Sequence, residues 1–290
     1  MIRIAGENVY KDNCFETAKG VAYSALFSFF PVLTTLAALL VQVRAEAVES
    51  TILHVLYRVA PPGTEEVVRN LFVVRGGRPE YLLIVAVMAA TWAASGAITS
   101  LMGGFRIAYR IPTGRPFLRE RAIAIMLVFT SVVPVCIASA LIVFGTWLQG
   151  KLFSWLPFID HTSELNGWVL LAGRTAAYAI AFGAFVLVTA VLYYLGPKRK
   201  QSFKAVFPGA VLATVLWLVA TVAVGWYLRH VANYNLLYGG VGASLALLVW
   251  MYVLAVITLF GCEFNAARER ALAIAHAPHP LEPPVPAGRY

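Results

Sequence analysis

The chain has 290 residues, 60% of them hydrophobic and only 13% charged, with a mean hydropathy of +0.75 and a formal net charge of +9. Water-soluble domains carry about 25% charged residues, so the composition excludes a soluble globular protein and points to a polytopic membrane protein. In that setting a basic excess implies no nucleic-acid partner until its distribution along the chain is known.

Residues 1–20 read as a cytoplasmic N-terminal segment of mixed charge, followed by an apolar run too long for the core of a signal peptide. Six segments then reach spanning length, at 21–43, 81–104, 122–148, 168–195, 203–228 and 240–264. About 20 apolar residues cover the hydrocarbon of a bilayer, and backbone in lipid must satisfy its own hydrogen bonds, so each is expected to be a helix. With the N-terminus inside, roughly two-thirds of the 23 Lys and Arg fall on the inner side, and the outer charges balance. The expectation is therefore all-α: a six-helix transmembrane domain over 21–266, N-in and C-in, in the bacterial cytoplasmic (inner) membrane.

The first span carries Pro31. After it comes a long outer connection, 44–80, in which Val48, Ile52, Val55, Leu56 and Val59 recur at helical spacing. Pro61-Pro62-Gly63 ends that helix, and Thr64 can cap a second one with Glu65 and Glu66 in its first turn. Capping or interfacial packing is the plain role for this pair. The second span, AATWAASGAITSLMGG, is rich in small and hydroxylic residues that let helices approach closely and hydrogen-bond across. The third and fifth spans contain Pro134 and Pro208, so kinks or early breaks are expected there and in the first.

Two ionisable residues interrupt spans. Arg174, in the fourth, either snorkels outward or faces a cavity where it attracts an anionic group. Glu263 lies near the inner end of the sixth, where it can cap or pair with Arg106 or the 198–200 loop. Between the fifth and sixth spans, Asn233, Tyr234, Asn235, Tyr238, Gly239 and Gly240 form a polar, aromatic and glycine-rich turn. Beyond Asn265 the chain ends in a proline-rich tail, 267–290, expected to be disordered from residue 277.

Catalytic chemistry finds little support. Cys14, Cys136 and Cys262 have no metal-ligand spacing, and the last two read as buried thiols in apolar segments. The five histidines are scattered over outer segments and the tail, and no phosphate-binding loop or nucleophile elbow occurs. No cofactor or metal is expected.

The stretches AYSALFSFFPVL (22–33), VLYYLGP (191–197), VFPGAVLATVLWLVA (206–220) and NYNLLYGGVGASLALLVWMYVLAVITLFGCEFNA (233–266) resemble the YihY/BrkB family of bacterial inner-membrane proteins. The family pattern reads Gly-Ala-Glu where this chain has Gly261-Cys262-Glu263, leaving Glu263 and Asn265 in place. The resemblance implies six spanning helices and a role in envelope integrity or serum resistance. Members have also carried the label ribonuclease BN, but the acid–base and metal constellation that hydrolysis of RNA needs is missing, and the positive-inside rule already accounts for the basic loops. The expected function is handling or flipping of an anionic lipid or small molecule. Arg174, Tyr234, Asn235 and Tyr238 would bind the ligand; Pro31, Pro134, Pro208, Gly239, Gly240, Glu263 and Asn265 would shape or gate the path. The alternative is a non-transporting scaffold that binds envelope partners. Membrane lipids, and a second copy of the chain through small-residue faces, complete the expected partners.

Overall fold

The computed structural model describes residues 1–42, 80–154, 163–230 and 239–275, and these form seven helices. They are α1 (Ile2–Lys11), α2 (Cys14–Gln42), α3 (Glu80–Ala108), α4 (Phe117–Ser154), α5 (Ser163–Leu195), α6 (Phe203–His230) and α7 (Gly239–Ala275). Helices α2 to α7 each carry a stretch long and apolar enough to cross a membrane. Neighbours in sequence pack as neighbours in space, and α7 closes the ring by packing on α2 as well as α6. The 44–80 connection (apart from Glu80), residues 276–290 of the tail, and Asn233, Tyr234, Asn235 and Tyr238 lie outside the described residues, while residues 267–275, expected in the tail, continue α7.

The prolines do not break the spans. α2, α4 and α6 run on as helices through Pro31, Pro134 and Pro208. The missing amide costs one hydrogen bond per proline, which a long membrane helix survives because its remaining backbone bonds have no competing water.

Sequence reading did not separate α1 from the N-terminal segment. Its only buried side chains, Ala5 and Val9, sit one turn apart on the face that meets α7, while Arg3 and Glu7 pair at 3.1 Å on the exposed side. Asp12 caps the helix, and Asn13 turns the chain into α2 in a left-handed conformation, φ 51°. Asn tolerates that region better than other non-glycine residues, which is why one residue suffices as a joint.

The core lies at the end of the bundle that carries α1. Cys14, Ala18 and Val21 of α2, Phe105 and Ala108 of α3, Val186, Ala190 and Tyr193 of α5, Val206, Ala210 and Ala213 of α6, and Ala255, Leu259 and Cys262 of α7 form one cluster. Lipid tails are as apolar as these side chains, so cohesion comes from close packing and from hydrogen bonds across helices. Alanines and glycines permit that closeness. A Cβ on Gly209 would run into the Gly261 carbonyl and the Asn265 carboxamide, and one on Gly261 would meet the Tyr193 hydroxyl and the Gly209 carbonyl.

Tyr193 is fully buried; its hydroxyl donates to the Thr258 carbonyl at 2.6 Å, and its ring meets Phe105 edge-on at 5.4 Å. Tyr193→Phe is expected to lose roughly 1–2 kcal/mol, the worth of a buried hydrogen bond whose acceptor is left behind. A thermal melt in detergent that matches wild type would refute that role.

Elsewhere the expected cross-helix hydroxyl bonds are absent among the described residues of the small-residue stretch. Ser95, Thr99 and Ser100 donate instead to carbonyls of their own helix, at Trp92, Ser95 and Gly96. Short hydroxylic side chains reach the carbonyl one turn back before they reach a neighbour. Cys136 also departs from expectation: Cys14 and Cys262 are buried, but Cys136 is exposed on α4. An apolar segment in a membrane helix faces lipid as readily as protein, so its hydropathy does not mark an interior.

Candidate functional site

Polar groups converge where the end of α7 meets the α1–α2 turn, the end of α3 and the start of α6. α7 is apolar up to Cys262 and then places Glu263, Asn265, Glu269 and Arg270 within two turns, so they fan around the helix. Asn265, 2% exposed, accepts from the Gly209 amide and donates to the Val206 carbonyl, each at 2.8 Å. A carboxamide accepts through its oxygen and donates through its nitrogen at once, and here it ties α7 to the first turns of α6.

Glu263 is completely enclosed. Its one ion-pair partner among the described residues is Arg270, two turns further along α7, at 3.6 Å, a separation that offsets charge without making a hydrogen bond. Neither carboxylate oxygen has a hydrogen-bond donor. Asp12 lies beside it, with Oδ2 also buried and without a donor, and Arg110 acts on it from the end of α3. Arg110 is held left-handed at φ 55°, with the Ile111 amide bonding back to the Arg106 carbonyl. The expected pairing of Glu263 with Arg106 or the 198–200 loop does not occur. Arg106 sits instead against Gly114, and Arg199 pairs with Glu269 while stacking over the Tyr109 ring at 4.7 Å. Burial pushes the Tyr109 phenol well above its ordinary range, which keeps it neutral.

Beside this cluster the end of α5 is capped by the Gly196 amide, which donates to the Leu192 carbonyl at 2.9 Å, and by two side chains. Helix ends leave carbonyls without intrahelical donors. Gln201 donates to the carbonyls of Tyr193 and Tyr194, and Arg115 to those of Leu195, Gly196 and Pro197 at 3.1, 2.6 and 3.1 Å. Burial lowers the Arg115 pKa.

Near the start of α4 another arginine leans across to α3. Arg121 of α4 lies 4.3 Å over the Trp92 ring of α3, donates to the Trp92 carbonyl at 2.8 Å, and approaches Gly96. Its Nε is buried with no partner, and no carboxylate pairs with it among the described residues. In the sequence Arg121 falls one residue before the third span, and the structure makes it the fifth residue of α4.

The sequence profile described as virulence factor BrkB matches residues 5–284. The chain belongs to the BrkB family. A protein of Bacillus subtilis named putative ribonuclease-like protein YfkH is 27% identical over 248 residues, covering 85% of this chain and 86% of that one. A UPF0761 membrane protein of Alteromonas mediterranea is 24% identical over 270 residues, covering 93% and 87%. No solved structure matches. Membership and the six apolar helices make this BrkB-family chain a multi-pass bacterial inner-membrane protein.

Of the residues singled out from sequence, this BrkB fold brings together Glu263 and Asn265, with Pro208 next to the Gly209 that Asn265 binds. Pro31 and Pro134 lie on α2 and α4 away from that cluster. Arg174 is a residue of α5, and Gly239 and Gly240 open α7, but their side-chain environments lie outside the described residues. Asp12, Arg115, Arg121 and Arg270 were not picked out as site residues.

Proposed function

We propose that this BrkB-family protein handles an anionic lipid or small anion within the membrane, in the service of envelope integrity. Arg121 carries the reading. A guanidinium in a membrane helix is costly unless paired, and Arg121 has a ring face and one carbonyl but no carboxylate among the described residues, with Nε buried and free. A phosphate or carboxylate is the group that would complete it. Arg174 supplies a second guanidinium in α5. The reading is non-enzymatic; the ribonuclease-like name belongs to the Bacillus relative.

The test is reconstitution into liposomes containing a fluorescent anionic phospholipid, with movement between leaflets followed by a membrane-impermeant quencher. Transfer faster than in protein-free liposomes is expected. Arg121→Ala and Arg174→Ala should each slow it roughly tenfold or more, the equivalent of one charge-assisted hydrogen bond at about 1.5–3 kcal/mol. Arg121→Lys should recover little, since a lysine lacks the planar fork. Wild-type transfer equal to the protein-free rate would discard the reading. That result would leave the scaffold alternative, favoured by the tight side-chain capping at the α1 end, and the next experiment would be capture of envelope partners.

A further inference from the structure

We infer that Asp12 and Glu263 form a proton-binding site, in which one proton shared between the two carboxyls fastens α1 to α7. Asp12 closes α1 and Glu263 lies on α7, the two helices pack against each other, and Asp12 is the foremost charged neighbour acting on Glu263. Both carboxylate oxygens of Glu263, and Oδ2 of Asp12, are buried without a donor. Ionised carboxylates only accept, so two of them facing each other repel; with one proton between them, one donates and the other accepts. Arg270 at 3.6 Å is too distant to supply that donor.

The surrounding groups fit this assignment. The α1–α2 turn contributes Asp12 and the buried thiol of Cys14. The end of α3 contributes Arg110 and the neutral Tyr109. α7 itself contributes Cys262, Arg270 and Glu269, the last engaged by Arg199. Arg110 and Arg270 lower the cost of a net negative pair without occupying its donor position. Both turns that flank the acids, at Asn13 and Arg110, use left-handed residues, a form of stored strain that accompanies functional positions.

The mechanical consequence follows from the joint. The buried side chains of α1 are Ala5 and Val9, it packs on α7, and the chain passes from it into α2 through the left-handed Asn13. Loss of the proton leaves two buried carboxylates facing each other and releases α1 from the end of the bundle. The site therefore couples proton uptake to the position of α1, whether or not Arg121 binds an anion.

The test uses the full chain in lipid nanodiscs and infrared difference spectra between about pH 5 and about pH 9, which bracket the range of buried carboxyls. One protonated-carboxyl stretch is expected to appear on acidification, to shift in heavy water, and to disappear in both Asp12→Asn and Glu263→Gln. At the acidic pH each amide variant should keep the wild-type melting temperature, because its NH2 supplies the donor that the proton supplied. Amide exchange in α1, corrected for the intrinsic effect of pH, should rise at alkaline pH in wild type and stay flat in Asp12→Asn. If Glu263→Gln fails to fold, Asp12→Asn decides alone. No such band in wild type, or a band that survives Asp12→Asn, overturns the assignment.

Discussion

Gly209→Ala is expected to be the most damaging single methyl in the described bundle. The new Cβ would overlap the Gly261 carbonyl and the Asn265 carboxamide, neither of which can rotate away, since one is backbone and the other is fixed by two hydrogen bonds. Overpacking usually costs about 1–3 kcal/mol, and clashes with backbone fall at or beyond the top of that range. Since whole domains are stable by only about 5–15 kcal/mol, a sharp fall in folded yield should follow. Gly225→Ala is the matched control: it lies on the same helix with nothing within 4 Å of its Cβ position, so it should be neutral or slightly stabilising. Fluorescence-detected size exclusion of both variants would settle the matter. Equal yields would mean that α6 and α7 do not pack at Gly209 and Gly261 as described.

Asn265→Leu is expected to rank second. It keeps the side-chain volume but strands the Gly209 amide and the Val206 carbonyl, both in a dry contact. At about 1–3 kcal/mol for each buried group that loses this partner, the loss comes to roughly 2–6 kcal/mol. Asn265→Asp should recover only part of it, since a carboxylate still accepts from Gly209 but cannot donate to Val206. The two sites are in contact, so their effects should not add. Asn265→Ala removes the carboxamide that Gly209→Ala strikes, and the double variant should melt above the sum of the single losses. Additive losses would show that the carboxamide is not what the extra methyl meets.

How much of this was legible in the sequence depends on the range of the interaction. The six spanning helices follow from local hydropathy, and Glu263 and Asn265 stood out as polar interruptions at the end of an apolar run. α1 escaped notice because its buried face is only Ala5 and Val9, too little apolar surface to mark a periodicity among Arg3, Glu7 and Lys11. Arg121 falls one residue before the third span, where a charge reads as interfacial, and nothing local says that it stacks on Trp92, 29 residues earlier. The contact of Asp12 with Glu263 depends on a one-residue turn and on α7 arriving beside it. No local pattern encodes that.

Arg115 carries a consequence for how the chain is made. The carbonyls it clamps lie 80 to 82 residues downstream. At synthesis rates of about 5–20 residues per second, the guanidinium emerges roughly 4–16 s before its acceptors exist. α4 is made within that interval, and the carbonyls of Leu195, Gly196 and Pro197 gain their side-chain donor only once the start of α4 lies beside the end of α5. The end of α5 is thus a joint completed by a side chain made long before it.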